Sequence, residues 1–139
     1  MIRVLLADDH DVIRFGLQQL IGSEEDMEVV GEATDGLQAV CLTMRLQPDV
    51  VLMDLSMPRL DGIAATREIT RTSPDTRVLV LSSYSHEPVV RAVLEAGARG
   101  YLLKDSPSQA VLDGIRAVNR GERPIAVQLK GDQPPSDGR

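Results

Sequence analysis

Five times along the 139 residues a short apolar run gives way to a segment with helical spacing. The first run, IRVLLA (Ile2 to Ala7), ends at Asp8-Asp9, after which Ile13, Leu17, Leu20 and Ile21 recur at helical intervals and Gly22 closes the helix. MEVVGEA (Met27 to Ala33) reads as a second strand, followed by a helix capped by Asp35, running to about Leu46 and stopped by Pro48. DVVLMD (Asp49 to Asp54) is a third strand, apolar on nearly every residue, and Arg59 to Arg71 is helical. RVLVLS (Arg77 to Ser82), a helix from Glu87 to Ala96, a strand from Arg99 to Leu103 and a helix from Pro107 to Arg120 complete the series. Strands apolar on both faces, alternating with helices, form a parallel sheet covered on both sides. Right-handed crossovers leave few ways to arrange it. The expectation is an α/β fold: a flavodoxin-like, doubly wound, five-stranded parallel sheet in the order 2-1-3-4-5, with five helices.

Charge and composition remove several functions. Net charge is −6, which argues against this chain itself gripping a phosphate backbone, where basic patches supply most of the affinity. The aromatics are only Phe15, Tyr84 and Tyr101, too few for a stacking platform under single-stranded nucleic acid. One cysteine, Cys41, excludes an intrachain disulfide and a multi-cysteine zinc site, and its helical spacing reads as a small core side chain. No apolar run approaches the roughly 20 residues of a membrane span, so no membrane partner is expected. No signal peptide is visible, and the cytoplasm is the simplest compartment. The composition shifts after Gly121: residues 1–121 read as one domain, and 122–139, with Pro124, Pro134 and Pro135, as a flexible linker or tail.

In such sheets the reactive edge lies at the C-terminal ends of the strands. There the sequence places Asp8-Asp9, Asp54, Ser82-Ser83 and Lys104. Crowded carboxylates repel and resist desolvation, so the arrangement is tolerable where a hard cation sits. Mg²⁺ binds carboxylates together with a phosphoryl group, which Lys104 and Ser82 would hold by charge and hydrogen bond. A carboxylate so placed can become an aspartyl-phosphate, and Asp54 is the best candidate because its strand is central. Lys104 is one of only two lysines among 15 basic residues, a compact ammonium retained where arginine is otherwise used.

These residues lie in ADDHDVIRFGLQQLI (Ala7 to Ile21), PDVVLMDLSMPRLDG (Pro48 to Gly62), VLVLSSYS (Val78 to Ser85) and GARGYLLKD (Gly97 to Asp105). Four such motifs in this order resemble the receiver domain of bacterial two-component response regulators, most closely the NarL/LuxR type, over about residues 2 to 120. The resemblance implies that Asp54 accepts a phosphoryl group from a sensor histidine kinase. It implies that Asp8, Asp9, Asp54 and the backbone carbonyl of Ser56 hold Mg²⁺, and that Ser82 and Lys104 bind the phosphoryl oxygens. Tyr101 would be the aromatic that changes rotamer with Ser82 when the site is occupied. A homodimer is one expected reader of the changed face. Such proteins continue into a helix-turn-helix domain, through which alone DNA would be bound; this chain is expected to be a receiver truncated before it. It would assist its own phosphorylation and dephosphorylation without being an enzyme that turns over a separate substrate.

Each residue also has a plainer reading. Asp8 and Asp9 could cap the first helix, Lys104 could be a solvated strand-end charge, and Tyr101 could be core. His10 lacks a neighbouring histidine and Mg²⁺ prefers oxygen, so it reads as a helix-start surface residue, as does His86. Gly62 and Gly97 read as backbone devices. Two other functions compete: a phosphohydrolase, disfavoured because the acids after the first strand are the adjacent Asp8-Asp9 and the candidate nucleophile lies on the third strand, and an atypical receiver acting as a phosphorylation-independent interaction module. A dinucleotide-binding reading fails for want of a G-x-G-x-x-G loop.

Overall fold

Successive side chains of a strand point to opposite faces, so strands apolar at every position have to be covered twice. The computed structural model, in which residues 1–126 are described, shows how. The elements are β1 (Ile2–Ala7), α1 (Asp11–Gly22), β2 (Met27–Ala33), α2 (Gly36–Leu46), β3 (Val50–Met53), α3 (Gly62–Thr72), β4 (Arg77–Ser82), α4 (Glu87–Glu95), β5 (Gly100–Leu103) and α5 (Ser108–Asn119). All strand pairs are parallel, and the order is β2-β1-β3-β4-β5, as the alternation predicts. Alternate residues feed two separate cores. Leu5, Val51, Met53, Val78 and Val80 pack with Ala39, Ala65, Ile69, Val90 and Val93, from α2, α3 and α4. Val4, Leu6, Val50, Leu52, Leu79 and Leu81 pack with Ile21, Val111, Leu112, Ile115 and Val118, from α1 and α5.

The helix starts follow local chemistry. The Asp35 side chain accepts from the amide of Gln38, and that of Asp61 from the amide of Ala64, each satisfying a donor the first turn leaves open. The third helix thus begins at Gly62, three residues after the expected Arg59. Arg59 itself is left-handed, with φ of +70°, a conformation no helix continues through. Gly62 is required by close approach: a Cβ there would strike the Asp54 carbonyl and the Leu55 Cα. The loop between β3 and α3 is therefore folded tightly beneath Asp54.

Two further expectations change. Cys41 is exposed, not core. The buried residues of α2 are Gly36, Ala39 and Thr43, one stripe at helical spacing, and Cys41 lies off it. Beyond α5, Pro124 to Ala126 do not leave the domain. The Tyr101 amide donates to the Pro124 carbonyl and the Ala126 amide to the Tyr101 carbonyl, both at 2.8 Å, and Ile125 bridges Tyr101 in parallel. The open edge of β5 is thus partly covered by the chain itself. The rest of the expected linker, from residue 127, lies outside the described residues.

Two glycines give opposite expected outcomes in urea unfolding. Gly62→Ala overpacks a site already closed by backbone and should cost about 1–3 kcal/mol. Gly16→Ala, in an exposed helical position with nothing near its added methyl, should gain up to about 1 kcal/mol.

Candidate functional site

Because the strands run the same way, their C-terminal ends share one rim, and a further ladder bond fixes each site residue there. The amide of Asp8 donates to the Ala33 carbonyl at 3.0 Å, that of Asp54 to Ala7 at 2.9 Å, and that of Lys104 to Ser82 at 2.8 Å. Central placement of β3 puts Asp54 between the acid pair after β1 and Ser82 at the end of β4.

The side chains converge. One oxygen from each of Asp8, Asp9 and Asp54 and a ring nitrogen of His10 lie within 4.8 Å of one another, a group that could hold a metal ion. Lys104 Nζ stands 3.2 Å from Asp8 Oδ2 and 3.2 Å from Asp54 Oδ1. Asp8 and Asp54 are buried, whereas Asp9 and His10 open to solvent. Ser82 is buried, its Oγ accepting from the Tyr84 amide at 3.0 Å. Ser56 is exposed on the loop after Asp54, and its hydroxyl donates to Tyr84 Oη at 3.2 Å.

Electrostatics reflects the crowding. Burial pushes the Asp54 carboxyl above its usual range, the charge on Asp8 pushes it further, and Lys104 only partly offsets them. Burial pulls Lys104 down, yet the carboxylates of Asp54 and Asp8 outweigh it and its ammonium is held above the usual value. His10 is raised, first by its hydrogen bond to Asp8 and then by the charges of Asp8 and Asp9. Asp54 Oδ2 is buried without a hydrogen-bond partner among the described residues. An orphaned carboxylate oxygen beside two further carboxylates matches a hard dication, so the residues present fit the group the acid cluster implies.

Tyr101 is the residue expected to change rotamer when the site is filled. It is fully buried in this structure, and its hydroxyl donates to the Tyr84 carbonyl at 2.8 Å. Burial raises its phenol. Tyr84 was not singled out from sequence, although it links Ser82 and Tyr101 through its two backbone groups. Its place two residues after Ser82 was the available signal. His10 is at the start of α1 as expected, but its side chain makes no capping bond and turns to the acids instead.

A doubly wound sheet with this acid pocket and strand-end lysine defines a receiver. The chain belongs to the response regulator receiver domain family, which matches residues 4–116. It is 46% identical over 131 residues to the transcriptional regulatory protein LiaR of Bacillus subtilis, covering 94% of this chain and 62% of LiaR. Over 128 residues it is 42% identical to the oxygen regulatory protein NreC of Staphylococcus carnosus, covering 91% of this chain and 59% of NreC. The chain thus spans about three-fifths of the length of these curated relatives. Among solved structures, the receiver domain of the response regulator NarL from Mycobacterium tuberculosis superposes with a TM-score of 0.84 at 34% identity, covering 87% of this chain and 98% of that one. These relatives are of the NarL/LuxR type. No helix among the described residues is long and apolar enough to cross a membrane.

Carboxylate crowding has a measurable sign. In chelator-treated protein, Asp54→Asn removes a repelled, desolvated charge and should raise stability by about 1 kcal/mol. Saturating Mg²⁺ should shrink or reverse the gain, because the ion then stabilises the wild type alone. A clear fall in Tm of the variant without metal would contradict the electrostatic account.

Proposed function

We propose that the chain is a phosphorylation switch in which Asp54 is the acceptor, Mg²⁺ the cofactor and a sensor histidine kinase the donor. The observation that carries this reading is the buried, unpartnered Asp54 Oδ2 set among Asp8, Asp9 and Lys104. An Asp54 oxygen attacks the phosphorus of a phosphohistidine, a P–O bond forms, the P–N bond breaks, and the leaving imidazole recovers its electron pair. Asp8, Asp9, Asp54 and the Ser56 carbonyl would hold Mg²⁺, which when bound offsets the charge on the phosphoryl oxygens. Lys104, already placed by two carboxylates, is positioned to transfer one of its hydrogen bonds to a phosphoryl oxygen. Ser82 would donate its hydroxyl to another.

The output follows from the same contacts. Phosphorylation adds about −1.5 to −2 charge at the rim. Pulling Ser82 toward that charge takes its Oγ from the Tyr84 amide, and the Tyr84 carbonyl is what the Tyr101 hydroxyl binds. Since Tyr101 already points inward, the switch acts by fixing or releasing this placement, biasing the face of α4, β5 and α5 between two arrangements. A partner, such as a second copy, reads that face. DNA is reached only through an output domain of the longer regulator, in the cytoplasm, and the chain turns over no separate substrate.

Beryllofluoride or acetyl phosphate titrated with Mg²⁺ tests the proposal, read by NMR shifts around Asp54 and Tyr101. Wild type should respond, Asp54→Asn should not, and Lys104→Arg should respond at least about tenfold more weakly, because a guanidinium fork does not reproduce the compact ammonium. An equal response in Asp54→Asn would overturn the assignment. Multiple turnover on a generic phosphoester would overturn the view that the chain is not an enzyme.

A further inference from the structure

Arg14 stands in the first turn of α1, and the phosphorylation reading gives it no task. Its side chain is only 13% exposed, and each of its three nitrogens has a partner. Nη1 donates to the Asp8 carbonyl at 2.7 Å, Nη2 to Asp11 Oδ1 at 2.6 Å and Nε to Glu32 Oε1 at 3.1 Å. One planar guanidinium fork thus ties the loop after β1 to the start of α1 and to the end of β2.

Among the acids of the rim, Asp9 has the least support. Asp8 and Asp54 are carried by ladder bonds of the sheet and share Lys104. Asp9 lies past the ladder bond that ends β1, and its side chain is 34% exposed. Its direction depends on the two peptide units that meet at its Cα. Each unit is planar, so holding one polar group of each restrains both planes. The unit between Asp9 and His10 is held by its amide, which donates to Asp8 Oδ1 at 2.8 Å. The unit between Asp8 and Asp9 is held by its carbonyl, to which Arg14 donates. Asp11 and Glu32 face the same guanidinium, so its charge is offset by acids outside the cluster while it orients the loop.

We propose that Arg14 is a positioning residue of the cation pocket: through the Asp8 carbonyl it aims the Asp9 carboxylate into the acid cluster. The inference rests on the reading of Asp8, Asp9 and Asp54 as a cation site and adds the residue that keeps the exposed acid in place. Without the fork the peptide between Asp8 and Asp9 is free to turn, and Asp9 swings toward solvent. The sign of the effect separates this role from one of charge alone. Removing a positive charge near an acid cluster strengthens its attraction for a dication. Removing a group that orients a ligand weakens binding instead, typically by about 10–100-fold.

Mg²⁺ titrations of the whole chain, followed by amide NMR shifts, test this in wild type, Arg14→Gln, Arg14→Lys, Asp9→Asn and the two Arg14 variants combined with Asp9→Asn. Arg14→Gln should bind Mg²⁺ at least about tenfold more weakly than wild type. Arg14→Lys keeps one donor for the carbonyl and should recover part of the loss. In the Asp9→Asn background Arg14→Gln should cost less than about twofold, because the acid it aims is gone. A merely structural role would lower Tm while leaving the affinity of the folded protein unchanged, or would cost as much in the Asp9→Asn background. Either result overturns the proposal, as does tighter binding in Arg14→Gln. Should Arg14→Gln not fold, Arg14→Lys carries the same comparison: weaker binding confined to chains that retain Asp9 supports the role, and unaltered binding overturns it. Wild type that fails to bind Mg²⁺, or binds it no better than Asp54→Asn does, instead removes the cation site on which the inference stands.

Discussion

The Lys104 ammonium stands between two buried carboxylates, and much of the rim depends on that placement. Asp8 and Asp54 repel each other where water is scarce, and one cation midway makes their joint burial tolerable in the absence of metal. The compensation is incomplete, as the raised Asp54 and its unpaired oxygen show. A fully satisfied pocket would hold its acids quietly and give a phosphoryl group nothing to do. Partial neutralisation leaves an acid cluster that could hold a metal ion, with the Lys104 ammonium beside it.

The backbone makes this arrangement repeatable. Ladder bonds at Asp8, Asp54 and Lys104 continue the sheet by one residue past β1, β3 and β5, so these rim side chains are carried on hydrogen-bonded sheet backbone. The loop beneath Asp54 is tightened by the contact of Gly62 with the Asp54 carbonyl and by the left-handed turn at Arg59. From Ser82 the contacts pass to Tyr84 and then to Tyr101. Site and edge strand are thus joined by three consecutive hydrogen-bonded groups.

Most of this was legible in the sequence where chemistry is local. Met27 to Ala33 and Arg77 to Ser82 form strands with the expected bounds, because an apolar run between polar or turn-forming residues has one good conformation. Topology followed from strands apolar on both faces, and the rim acids from the rule that places strand ends together. What was not legible depends on tertiary contact. Arg59 and Leu60 favour a helix by propensity, but the left-handed turn at Arg59 and the packing of Gly62 against the Asp54–Leu55 backbone delay its start. Cys41 fits a helical pattern equally well on either face until the neighbours of α2 are known. The turn of His10 toward the acids, the inward Tyr101 and the go-between role of Tyr84 involve side-chain directions that spacing cannot supply.

Pro124 to Ala126 carry a consequence of their own. An unpaired strand edge is a template for intermolecular β-sheet, and β5 ends the sheet with Tyr101 at its centre. By laying three of its own residues along that border, the polypeptide occupies the backbone groups a stranger would seize. A version of the molecule cut directly after α5 would retain every side chain of the acid rim yet offer a bare seam, and its hazard would be self-association into aggregates.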